Sequence, residues 1–130
     1  MKIRMGFVSN SSSSSFVIVG EQIDHPKDLV KGEILILMGE NYSSDEGLVV
    51  FSATKYYDEV VKNYDVLKRG FTFISGQMFE ENGGSLDKLN MRKGLQVWGG
   101  ECTQHSPYSL ESFRDFMKEY KDNYEELTPD

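Results

Sequence analysis

Between residues 110 and 127, Leu110, Phe113, Phe116, Met117, Tyr120, Tyr124 and Leu127 recur at spacings of three and four. Arg114, Asp115, Lys118, Lys121 and Asp122 fill the intervening positions. At 3.6 residues per turn this pattern lines up one apolar stripe, and it predicts an amphipathic helix of four or more turns. Such a helix gains most of its stability from whatever covers the stripe, so the rest of the chain must supply a second layer. Residues 126–130, ELTPD, read as a frayed tail.

Short extended runs supply that layer. Residues 2–8 alternate, with Ile3, Met5 and Phe7 on one face and Lys2, Arg4 and Gly6 on the other, the pattern of a half-buried strand. Residues 16–19 form a continuous aromatic and β-branched run ended by Gly20, which suits a strand buried on both faces. Asp24-His25-Pro26 opens a short helical segment over 26–30. Residues 34–38 and 48–52 flank the polar GENYSSDEG and read as a hairpin. From Thr54, a favourable N-cap, Tyr57, Val60, Val61, Tyr64 and Leu67 or Lys68 follow helical spacing. Lys68 and Arg69 suit the end of that helix, and Gly70 suits a left-handed stop. A fifth strand is expected over 71–74, extending toward 79, then a short helix from Ser85 carrying Leu86 and Leu89, and a sixth strand over 94–98. The expected fold is a single α+β domain over 1–130. It has a mainly antiparallel sheet of five to six strands, with two main helices on one face.

Charge narrows the partners. Against 21 Asp and Glu stand 14 Lys and Arg, a net charge of −7. Nucleic acid and anionic membrane are disfavoured, because phosphates are met mostly by Lys and Arg. A basic protein surface fits better. The one cysteine, Cys102, excludes an internal disulfide and points to a reducing compartment. No run approaches the ~18 apolar residues of a transmembrane helix. The basic start gives way to serines too early for a secretory signal. The expected location is the cytoplasm, and no cofactor is implied.

Candidate chemistry is sparse. Cys102 and His105, in CTQH, could meet in a turn as nucleophile and base beside Glu101, although the flanks of a catalytic motif are missing. A closed zinc site wants four ligands, and Cys102, His105 and the distant His25 are too few. Ser52 to Lys55, SATK, matches Ser-x-x-Lys without its partner motifs. Asn41 to Gly47, NYSSDEG, lacks the ligand spacing of a calcium loop. Tyr56, Tyr57, Tyr64, Phe113, Phe116, Tyr120 and Tyr124 could stack on bases, but they lie mostly at core positions with no basic stripe beside them. Trp98 precedes Gly99-Gly100, which would permit close approach of a ligand or partner.

Asn10 and the five serines Ser11, Ser12, Ser13, Ser14 and Ser15 stand apart. Lacking the glycines and lysine of a phosphate cradle, they read as a polar loop, residues 9–15, joining Met5–Val8 to Phe16–Val19 in a hairpin. Modification of a hydroxyl is the second reading. Asn10-Ser11-Ser12 formally fits a glycosylation acceptor, which matters only in a secreted chain. The stretch RMGFVSNSSSSSF, from Arg4 to Phe16, resembles the opening of a group of uncharacterised bacteriophage and prophage proteins. These begin Arg-x-Gly-Phe-Val-Ser-Asn, followed by a serine run and Phe. The resemblance implies phage or prophage origin and expression in a bacterial cytoplasm. It also implies an opening shared by proteins whose remainders differ, as a tag, processing site or interaction handle would be. It brings no activity with it. The expectation is therefore an accessory protein that binds a host or phage protein. The alternatives are a small enzyme built on Cys102 and His105, or a virion component with its N-terminal arm docked on a neighbouring subunit.

Overall fold

The structure is a computed structural model and describes residues 7–8, 13–40, 48–80, 94–103 and 106–127. The apolar runs become β2 (Ser13–Ile23), β3 (Ile34–Glu40), β4 (Leu48–Ser52), β5 (Phe71–Glu80) and β6 (Gln96–Thr103). They form one sheet in the order β4-β3-β5-β2-β6, with every neighbouring pair antiparallel. A separate two-stranded ribbon joins β1 (Phe7–Val8) to β7 (Ser106–Pro107). The helices are α1 (Tyr57–Lys62), α2 (Tyr64–Leu67) and α3 (Leu110–Leu127). The expected α+β class and antiparallel sheet are those of the protein.

Alternation along each strand divides the apolar residues between two faces. The outer face presents Leu35, Leu37, Phe51, Phe71 and Phe73 to the helices, where they meet Tyr56, Val60, Leu67, Phe113, Phe116 and Tyr120. Phe51 sits edge-on to Phe71, Phe113 and Phe116, with ring centroids 5.6 to 6.4 Å away. Burial of each such ring contributes about 1.5–3 kcal/mol, so this layer dominates the stability. The inner face carries Phe16, Ile18, Ile36, Val50, Ile74 and Cys102, all buried. Among the described residues no helix covers that face. It is buried because the sheet curls until its first and last strands, β4 and β6, approach each other.

The curl depends on two glycines. Gly20 of β2 stands directly opposite Gly76 of β5. A Cβ on Gly20 would run into the Ser75 carbonyl oxygen and lie 2.8 Å from the Gly76 Cα. A Cβ on Gly76 would run into the Val19 carbonyl oxygen and lie 2.6 Å from the Gly20 Cα. Only residues without a side chain let the two backbones close to this degree on the concave face.

Several expectations are corrected. Of residues 2–8, the structure describes only Phe7 and Val8, and these pair with Ser106–Pro107 instead of residues 16–19. The serine loop over 9–15 ends earlier than expected, because Ser13, Ser14 and Ser15 already belong to β2. The sixth strand runs from Gln96 to Thr103, so Gly99 and Gly100 lie inside it. The expected second helix is divided into a 3₁₀ turn (Thr54–Tyr56), α1 and α2. The division falls at Asn63, whose side-chain amide and backbone N–H both donate to the Glu59 carbonyl, at 2.8 and 3.0 Å. Thr54 does not cap the helix; its hydroxyl accepts the Leu35 N–H at 2.8 Å and ties the turn to β3. Gly70 has no positive φ. Its small size matters instead, because the Tyr120 hydroxyl occupies the space a Cβ would need.

The final helix begins at Leu110, where Ser109 and Ser112 bond reciprocally: Ser112 N–H donates to Ser109 Oγ (3.0 Å) and Ser109 N–H to Ser112 Oγ (2.9 Å). It runs on through Glu126 and Leu127, which were expected to fray. Leu110 is not on the buried stripe, being 42 % exposed ahead of the aromatic contacts that start at Phe113. The expected helix at Ser85, the loop residues 41–47 and the tail residues 128–130 lie outside the described residues.

Candidate functional site

Two segments singled out in the sequence meet by strand pairing. Ser13, Ser14 and Ser15 pair with Thr103, Cys102 and Glu101, and Phe7 and Val8 pair with Pro107 and Ser106. The N-terminal stretch and the segment around Cys102 therefore run antiparallel to each other through two successive ladders. The serine tract enters the main sheet as backbone, so Ser13–Ser15 are anchored, with Ser15 exposed. Asn10, Ser11, Ser12 and His105 lie outside the described residues.

Cys102 points into the curl. It is 3 % exposed and packs with Phe16, Ile18, Ile36, Val50 and Ile74. A thiol enclosed by apolar side chains is shielded from solvent and substrate, and its surroundings resemble those of a structural cysteine. Trp98 stands opposite Ile18 on the same inner face and is half-buried there. Its neighbouring glycines, Gly99 and Gly100, are both exposed. Gly100 stands opposite Phe16, and a Cβ on Gly100 would meet the Phe16 ring at 3.8 Å. An aromatic ring laid over an edge-strand glycine is a recognised way of pinning a strand.

The feature that sequence reading missed lies between α1 and α3. A groove of about 380 Å³ is lined by Lys62 and Asn63 on one side, and by Arg114, Met117, Lys118 and Lys121 on the other. Glu59 and Asp122 complete it. Four of the chain's 14 Lys and Arg residues thus face two of its 21 acidic residues, which makes the groove locally positive on an acidic protein. Its floor is Met117, 4 % exposed, and its rim is charged. Arg114 donates to Glu59 Oε2 at 3.1 Å and fastens α3 to α1. That hydrogen bond, with the nearby charges of Arg114 and Lys62, holds the Glu59 carboxyl below the usual carboxylate range despite some burial. On the next turn of α3, burial and then the charge of Asp122 push Glu119 upward.

A second groove, of about 570 Å³, lies beside Gln22, Asp24, Tyr64, Lys68 and Thr72. Its cations are Lys68 and Arg69, and Lys68 is engaged: Nζ lies 5.2 Å over the Tyr64 ring and 3.8 Å from Asp65. The α1–α3 groove, with four cations against two, is the stronger candidate for a charged ligand.

No family model, curated protein or solved structure matches the chain. The site therefore has to be read from its own chemistry. Among the described residues no three His, Cys, Asp or Glu side chains converge as metal ligands would, and no helix is long and apolar enough to cross a membrane. One side of the groove is local to α3, and its spacing is the signal that could have found it. Arg114, Lys118 and Lys121 fall at spacings of four and three along one side of α3. Lys62 joins them from a helix 52 residues earlier than Arg114 in the chain, and only the packing of α1 on α3 brings it there.

Proposed function

We propose that this chain is a small acidic accessory protein of phage or prophage origin that acts by binding a host or phage protein. The exposed side of α3 is the face it presents. The resemblance of Arg4 to Phe16 supports the origin. The observation that carries the binding role is Tyr108 and Leu110, 58 % and 42 % exposed at the head of α3. Tyrosine is among the residues enriched at interface hot spots, and Leu110 extends the exposed apolar area beside it. Leu110 continues, at helical spacing, into Arg114, Lys118 and Lys121, so an apolar anchor and a charged stripe share one side of the helix.

The test is a pull-down from bacterial lysate using the native chain and a Tyr108→Ala, Leu110→Ser double variant. The native chain is expected to retain a stoichiometric partner, and the double variant to lose it without a change in melting temperature. Equal retention by both chains, or no stoichiometric partner together with turnover of a small molecule by the purified protein, overturns the reading.

A further inference from the structure

We infer that the groove between α1 and α3 receives a carboxylate-rich peptide segment of the partner protein. This rests on the binding role proposed above and goes beyond it by naming the chemistry of the occupant. Lys62, Lys118 and Lys121 present compact, mobile ammonium groups around an apolar floor. Arg114 is already spent on Glu59, which removes one of the two carboxylates that would repel an anion. Met117 beneath them is only 4 % exposed, so recognition in the groove falls to the charges at its rim. The occupant that satisfies these cations carries several carboxylates, and an aliphatic residue beside them can reach the exposed Leu110 at the head of α3.

The net charge of −7 does not forbid this. At physiological ionic strength the screening length is about 8 Å, so a bound segment responds to the cations beside it more than to the distant acidic surface. The same net charge argues against a nucleic-acid occupant. Such a partner extends well beyond the groove and would meet the acidic surroundings along its length. Leu110 lies on the same side of α3, so a segment following the groove can continue onto the apolar head of the helix.

The experiment measures fluorescence anisotropy of a labelled short helical peptide of Glu and Leu, against the same peptide with Gln for Glu and against a short single-stranded DNA. Proteins are the native chain, a Lys62→Glu, Lys118→Glu, Lys121→Glu variant, and a distal control with Lys27→Glu and Lys31→Glu. A gentler Lys→Gln set at the three groove positions guards against misfolding, with melting temperatures recorded for all. The Glu/Leu peptide is expected to bind the native chain and the distal control alike. Reversing the three groove charges should weaken it about tenfold or more, and added salt should weaken it as well. The inference is overturned if the Gln peptide binds equally, if DNA is preferred, or if the groove and distal variants behave alike. It is also overturned if the groove charges instead control self-association in sedimentation. A lysate partner lost with Tyr108 and Leu110 but kept by the groove variants would overturn this inference and leave the binding role standing.

Discussion

Replacing Gly20 by Ala tests whether the curl of the sheet depends on the glycine pair. The new Cβ would collide with the Ser75 carbonyl oxygen and stand 2.8 Å from the Gly76 Cα, whereas carbon atoms ordinarily settle about 3.5–4.0 Å apart. Both obstacles are backbone atoms of the β2–β5 ladder, so no rotamer change can relieve the contact. The strands must separate by roughly 1 Å, and overpacking of this kind costs about 1–3 kcal/mol. Stiffening the unfolded chain returns only about 0.4–1 kcal/mol. The expected net loss is then about 1–2 kcal/mol, or roughly 3–10 °C in melting temperature for a chain of this size.

Gly99→Ala is the matched control, since its Cβ would meet only the Phe16 carbonyl oxygen, at an ordinary 3.5 Å. It should melt close to the native chain. Thermal unfolding followed by circular dichroism compares the three proteins, and thiol labelling supplies a second readout. A loosened curl should admit reagent to Cys102, so Gly20→Ala should label faster than the native chain while still folded. If Gly20→Ala melts with the native chain, or Gly99→Ala loses as much, the close approach of Gly20 and Gly76 does not shape the sheet.

Three further outcomes follow from named contacts. Thr54→Val removes the acceptor of the Leu35 N–H and should cost about 1–2 kcal/mol in urea denaturation; a neutral result would mean that water replaces the hydroxyl. Cys102 in the native fold should react with iodoacetamide at neutral pH more slowly than a small thiol, and at the small-thiol rate in denaturant; a rapid native reaction would revive the nucleophile reading. Because the Glu59 pKa is lowered in the fold, its bond to Arg114 contributes stability that is fully present above the unfolded carboxylate value near ~4.3 and is lost as pH falls through the folded value. Arg114→Met should therefore be less stable at pH 7 by at most about 1 kcal/mol, Arg114 being 59 % exposed, with the difference vanishing in acid; a pH-independent difference would assign the effect to packing.

How much of the candidate site could be read in advance depends on the distance over which each feature is decided. Cys102 and the serine tract were both conspicuous, but that Ser14 stands opposite Cys102 is a register between residues 88 positions apart. Trp98 beside two glycines suggested room for a ligand; that Gly100 faces the Phe16 ring is again a register between distant strands. The polar side of α3 was legible as an exposed, mixed-charge helix face, without its cations being singled out. It becomes a groove only through Lys62 and Glu59 of α1.

Local periodicity was enough to establish α3, the β-branched strands and the α+β class, because helix and strand repeats are set by neighbours three or four residues away, or two. Punctuation by polar and glycine residues placed most of the breaks within a few residues. Tertiary packing decided the rest: the strand order, the pairing of β1 with β7, the extension of β2 into the serines, and the exchange of a helix cap for a β3 contact at Thr54. Each of these is a choice among partners that are equivalent in local sequence, and it is settled by which arrangement closes the inner face around Ile18, Ile36 and Ile74 while the aromatic layer covers the outer one. The curl makes that choice for Cys102 as well, turning the most reactive side chain in the sequence into part of the core.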